Sequence, residues 1–93
     1  MTPEVTLSPT AIPALWRLAR IEFDPVRGRP VLLYPEGVVL LNDTGVAILE
    51  LCDGRHTLQE IAGTLGARYE EDVLSDVTEY VEQLAARELI DVA

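Results

Sequence analysis

Two apolar runs, Val31–Tyr34 and Val38–Leu41, flank Pro35-Glu36-Gly37 and lead, after Asn42, into a third apolar run with helical spacing. Short apolar runs on either side of a Pro/Gly turn predict a β-hairpin, here one that feeds straight into a helix. Upstream, Arg17–Asp24 alternates: Ala19, Ile21 and Phe23 point one way, Arg20 and Glu22 the other. That is the pattern of a half-buried strand. Asp24-Pro-Val-Arg-Gly28 then supplies a turn, with Pro fixing φ and Gly allowing positive φ. Three antiparallel strands in a meander follow. Residues 1–15, with Pro3, Pro9 and Pro13, read as an extended N-terminal arm, because proline removes backbone donors and disfavours helix before it. Residues 16–93 read as a single domain.

Three helices come next. Asn42 is an N-cap and Asp43 suits the positive helix start, so a first helix is expected over Asp43–Cys52, with Gly54 just past its end. Thr57-Leu-Gln-Glu60 is a capping box, and Leu58, Ile61, Ala62, Leu65 and Tyr69 follow at helical spacing. Gly66 predicts an early end for this helix. The third helix is expected to begin in Glu70-Glu71-Asp72 and to run about five turns, with Val73, Val77, Tyr80, Val81 and Leu84 as its apolar stripe. Leu89–Val92 predicts a short extended tail returning to the core. Strands followed by helices make an α+β domain: a three-stranded meander and a three-helix bundle, the last two helices arranged like a winged helix-turn-helix.

Charge changes the picture more than composition does. Residues 1–41 are balanced, with four Arg and four acids. Residues 42–93 carry three Arg against twelve acids, which is the whole net charge of −9. A winged-helix DNA-binding regulator is the alternative reading of the topology, but such a reader places Lys and Arg on its recognition helix. Glu70–Glu88 offers one Arg, Arg87, among its acids, and phosphate would be repelled. No apolar run approaches the ~18 residues of a membrane span, and the N-terminus lacks a signal-peptide pattern, so a cytoplasmic protein is the expectation.

Candidate chemistry is sparse. Cys52 and His56 stand across the Gly54 break, with no second Cys or His to complete a metal site, which wants about four ligands. No third group orients them as a nucleophile pair, and no Gly-rich phosphate loop is present. The residues point to neither catalysis nor a cofactor. The last strand of the meander is what stands out: Val38-Val39-Leu40-Leu41 is apolar on both faces, lies at the edge, and carries no guarding charge or proline. Either the protein's own helices cover it or a partner does. An exposed edge accepts an added peptide strand, and a dimer through the same edge is a further possible use.

The runs LLYPEGVVLLNDTGVAILELCDGRHTLQEIAGTL and DVTEYVEQLAARELIDV resemble the PqqD family of pyrroloquinoline quinone (PQQ) biosynthesis. Leu33-Tyr34-Pro35-Glu36-Gly37, Leu41-Asn42, Leu51-Cys52-Asp53-Gly54 and Thr57 carry the resemblance, which extends from about Leu18 onward. Glu88 departs from it, standing where a glycine is expected. The resemblance implies a non-catalytic peptide chaperone, of the kind that recognises leaders in ribosomal-peptide pathways. It would bind the leader of a PqqA-like precursor by strand addition and present it to a PqqE-like radical S-adenosylmethionine enzyme, to which the iron–sulfur clusters belong. On this reading the backbone of Val38, Val39, Leu40 and Leu41 accepts the peptide. Val73, Val77, Tyr80 and Val81 wall the groove, although part of that stripe must face the core. Asp76 and Glu79 grip a basic leader residue.

Overall fold

The first and last strands of the described residues pair in one small sheet. In order, the elements are β1 (Pro13–Leu15), β2 (Arg20–Asp24), β3 (Arg29–Tyr34), β4 (Gly37–Leu40), α1 (Asp43–Glu50), α2 (Leu58–Tyr69), α3 (Leu74–Ala86) and β5 (Ile90–Val92). The structure, a computed structural model, describes residues 5–93; the first four residues of the expected arm lie outside them. β2, β3 and β4 form the expected antiparallel meander, and β1 pairs antiparallel with β5 in a separate two-stranded sheet.

Local chemistry accounts for the meander. Asp24 Oδ1 accepts from the backbone N–H groups of Val26 and Arg27, Gly28 donates back to the Asp24 carbonyl, and Gly28 takes φ 66°. Tyr34 and Gly37 then pair across the two-residue turn Pro35-Glu36. A Cβ at Gly37 would lie 3.1 Å from the Tyr34 hydroxyl oxygen, so glycine lets that ring lie across the turn. The register lines up Ile21, Leu32 and Val39 on the inner face, toward the helices. Glu22, Val31 and Leu40, with Arg20, Leu33 and Val38, line the outer face.

The helices close the core over the inner face with Ile48, Leu49, Leu58, Ile61, Leu65, Val77, Val81 and Leu84. All four free N–H groups at the start of α2 are satisfied, as a helix start requires. The Thr57 N–H meets the Glu60 carboxylate, and the Glu60 N–H meets the Thr57 hydroxyl. Those of Leu58 and Gln59 donate to the carbonyls of Ala11 and Pro9 at 2.9 and 3.0 Å. Half of this cap therefore comes from the N-terminal stretch.

Three helix boundaries differ from expectation. α1 stops at Glu50 rather than Cys52. α2 runs through Gly66 to Tyr69, because Gly66 admits the backbone that follows the helix and does not break it: a Cβ there would lie 2.6 Å from the Glu71 carbonyl oxygen. α3 begins only at Leu74, so Glu70-Glu71-Asp72 form the connection, and the helix has 13 residues instead of five turns.

The backbone at Glu88 accounts for the glycine expected there. The N–H of Glu88 bonds to the Ala85 carbonyl and that of Leu89 to the Leu84 carbonyl, the paired closure that ends a helix on a left-handed residue. Glu88 is that residue, at φ 62°. Its Cβ makes this conformation costly where glycine would be at ease. Glu88→Gly is accordingly expected to raise stability by roughly 0.5–1 kcal/mol, read as a higher urea midpoint at unchanged slope.

Candidate functional site: an open sheet edge and the cleft beyond it

Backbone phasing decides what β4 has to offer. The Leu41 N–H donates to the Pro30 carbonyl at 3.0 Å, so Pro30 and Leu41 face each other as a hydrogen-bonded pair. Such pairs alternate with non-bonded ones in an antiparallel ladder. With Leu32 opposite Val39, and Val31 and Leu33 opposite Leu40 and Val38, the exchanged pair is Leu32–Val39. The N–H and C=O groups of Val38 and Leu40 therefore point away from β3. Among the described residues no strand lies on that side.

Proline leaves a gap that Arg29 fills. The Leu41 carbonyl would normally accept from its opposite residue, but Pro30 has no N–H. Arg29 supplies the donors instead: its Nε and Nη2 reach the Leu41 oxygen at 3.1 and 2.8 Å. This fork pins the end of β4. One residue later, Asn42 Oδ1 accepts from the Gly45 N–H at 2.8 Å and starts α1.

Tyr80 brings α3 to this junction. A Cβ on Gly45 would come within 2.6 Å of the Tyr80 hydroxyl, so the phenol ring lies directly over the first turn of α1. Burial raises the Tyr80 hydroxyl above its ordinary pKa, with nearby Cys52 adding to it. Past Tyr80 a cleft of about 410 Å³ opens between the three helices, lined by Thr44, Ile48, Leu65, Tyr69, Glu71, Val73, Asp76 and Val77. Its floor is apolar and two carboxylates stand at its wall.

The nine residues expected to dock a peptide divide accordingly. Val38 and Leu40 are exposed, at 38% and 49%, and have free backbone groups. Asp76 is exposed, while Val39 and Tyr80 are half-buried. Val73 and Val77 are core residues whose edges floor the cleft. Val81 is 0% exposed and faces the core, so its side chain offers no wall. The backbone of Val39 is committed to Leu32, and that of Leu41 to Pro30 and Arg29. Sequence reasoning passed over Arg29, Thr44, Tyr69 and Glu71. For Arg29 a signal existed: a proline inside a strand orphans the carbonyl opposite, and an arginine stands beside it.

The other candidate groups are settled by their surroundings. Cys52 is buried and donates to the Ile48 carbonyl at 3.3 Å. Burial, then Asp53, pushes its thiol up to about 12, so it carries no thiolate at neutral pH. His56 Nδ1 sits 2.9 Å from Asp53 Oδ1, and this hydrogen bond holds the Asp53 carboxyl below its usual range. Among the described residues no three His, Cys, Asp or Glu side chains gather as a metal site, and no helix is long and apolar enough to cross a membrane. α3 carries Asp76, Glu79 and Glu82 and no Arg.

Known proteins resemble this chain in sequence and fold. A PqqA binding protein from Methylococcus capsulatus is 40% identical over 79 residues, covering 84% of this chain and 85% of that protein. The bifunctional coenzyme PQQ synthesis protein C/D of Methylorubrum extorquens is 38% identical over 94 residues, covering 92% of this chain and 25% of that protein. The solution NMR structure of the PqqD truncation of Methylobacterium extorquens PqqCD, described as a functional and stand-alone RiPP recognition element, superimposes with a TM-score of 0.80. It is 37% identical, and the match covers 98% of this chain and 99% of that one. The family model for coenzyme PQQ synthesis protein D matches residues 30–90, from β3 through the start of β5, and on these grounds the chain belongs to the PqqD family.

Proposed function

We propose that this protein is a non-catalytic peptide chaperone of PQQ biosynthesis. It takes the leader of a PqqA-like precursor as an added strand on β4 and presents the precursor to a PqqE-like radical S-adenosylmethionine enzyme in the cytoplasm, where the precursor is made. The observation that carries this reading is the edge itself: Val38 and Leu40 hold free N–H and C=O groups on a strand with no charge or proline to guard it. The PqqA binding protein of Methylococcus capsulatus and the recognition element of Methylobacterium extorquens support it. So does the Methylorubrum extorquens protein in which the module is joined to a C function in one chain.

Magnitudes show what else the site must provide. Four main-chain hydrogen bonds at about 1 kcal/mol each give roughly 4 kcal/mol, only millimolar affinity. Micromolar binding needs about as much again from side-chain burial. The cleft beyond Tyr80 supplies part of it: Val73 and Val77 take an aliphatic stem, and Asp76, with Glu71 or Glu79, takes a basic head group. An exposed ion pair adds about 0–1 kcal/mol, so it tunes the choice of peptide.

An amide NMR titration with the precursor leader checks this. Saturable shifts are expected at Val38, Leu40 and around Asp76 and Tyr80. Shifts lying elsewhere, or none with the enzyme also present, would rule the reading out. Duplex DNA is expected to leave the spectrum unchanged, since α3 meets it with three acids and no base. A second copy of the chain would compete for the same edge groups, so added leader shifts any such dimer to monomer on sizing.

A further inference from the structure

The residues of β4 with free backbone groups are the same residues whose side chains stand on the outer face of the sheet. A one-sided meander ordinarily keeps that face polar. Here it carries an apolar strip. Val38 stands beside Leu33, and Leu40 beside Val31, in the ladder register. Val31 is 2% exposed although it lies outside the main core. It is covered from the outer side, where Glu22, Val31, Leu33 and Val38 line a depression of about 350 Å³. The strip stops abruptly at the edge, with Val38 and Leu40 only partly covered.

A strand that bonds to this edge has no choice of phase. Its two residues opposite Val38 and Leu40 exchange hydrogen bonds with them, and residues opposite each other share a face. Their side chains must therefore stand outward, beside Val38 and Leu40. The residue between them, opposite Val39, must point inward toward α3. We infer that the recognised segment of the leader carries two apolar side chains separated by one residue, which extend the outer strip by one row, and that this alternation selects which part of the precursor is read. The inference rests on strand addition at β4 and adds the side-chain code.

A glutamate scan along the leader, measured by calorimetry, tests the code. With the natural protein, glutamate is expected to lower affinity by about tenfold at two positions spaced by two, through lost apolar burial. In a Val38→Lys/Leu40→Lys protein the same two positions are expected to prefer glutamate, because opposite charges now face each other across the strands. Both side chains are partly exposed, so the fold should tolerate the change; a Val38→Thr/Leu40→Thr protein keeps the β-propensity and is expected to lose about tenfold for the natural leader. If the amides of Val38 and Leu40 respond to the leader but the sensitive positions are not spaced by two, or the lysines leave the profile unchanged, the code is wrong and strand addition stands. If those amides do not respond, both fall.

Discussion

A Leu40→Pro protein is expected to fold normally and to lose its leader peptide. The Leu40 N–H points away from β3, so proline there removes no bond of the meander, and edge strands accept proline on their open side. For an incoming strand the consequences are severe. One donor is gone, the peptide carbonyl that would meet it is buried without a partner at a cost of about 1–3 kcal/mol, and the ring occupies the approach. Affinity should fall at least ~100-fold, from those losses together. Val39→Pro gives the contrast. The Val39 N–H belongs to the exchanged pair with Leu32, so proline there breaks the ladder in the middle of the core-facing row and should lower stability as well. Thermal melts and calorimetric titration of the two variants separate the effects. A folded Leu40→Pro protein that bound the leader like the natural one would show that the peptide does not add to β4.

That contrast rests on a detail the sequence does not display. Val38–Leu41 is apolar at every position, so its pattern carries no period from which to read which residues face outward. The phase becomes visible only through the bond between Leu41 and Pro30. What was legible was local. The turn at Asp24–Gly28, the Asn42 cap and the Thr57–Glu60 box each use groups within a few residues, and each formed as expected. What misled was tertiary. Gly66 read as a helix stop, but its role is to let the Glu71 carbonyl approach. The α3 stripe gave its apolar residues correctly, yet only packing against α1 and α2 decides that Val81 is sealed while Val73 and Val77 floor a cleft. The prolines near the N-terminus read as an extended arm, and Pro13–Leu15 is extended, but its pairing with the distant Ile90–Val92 is a tertiary contact that no local signal announces.

Deleting residues 1–15 is expected to unfold the protein. β5 would lose its only strand partner among the described residues, and α2 would lose the carbonyls of Ala11 and Pro9 that satisfy two of its first N–H groups. The Cys52 carbonyl would lose the Leu15 N–H that bonds to it at 2.9 Å, and the Gly54 N–H would lose the Pro13 carbonyl. Ala11 and Pro13 are buried and Ile12 and Leu15 half-buried, so their removal also uncovers Leu58, Leu89 and Ile90. Lost apolar burial alone is on the order of 4–6 kcal/mol, which is comparable with the whole stability of a domain this size, roughly 5–14 kcal/mol. Circular dichroism and an amide spectrum should show collapsed dispersion and no cooperative urea transition. A truncated chain that melted cooperatively near the natural midpoint would mean that the clamp on α2 is dispensable. Loss of folding would instead make the N-terminal stretch part of the recognition site's foundation: it fixes the start of α2, and α2 carries Leu65 and Tyr69 to the wall of the cleft where the leader is proposed to anchor.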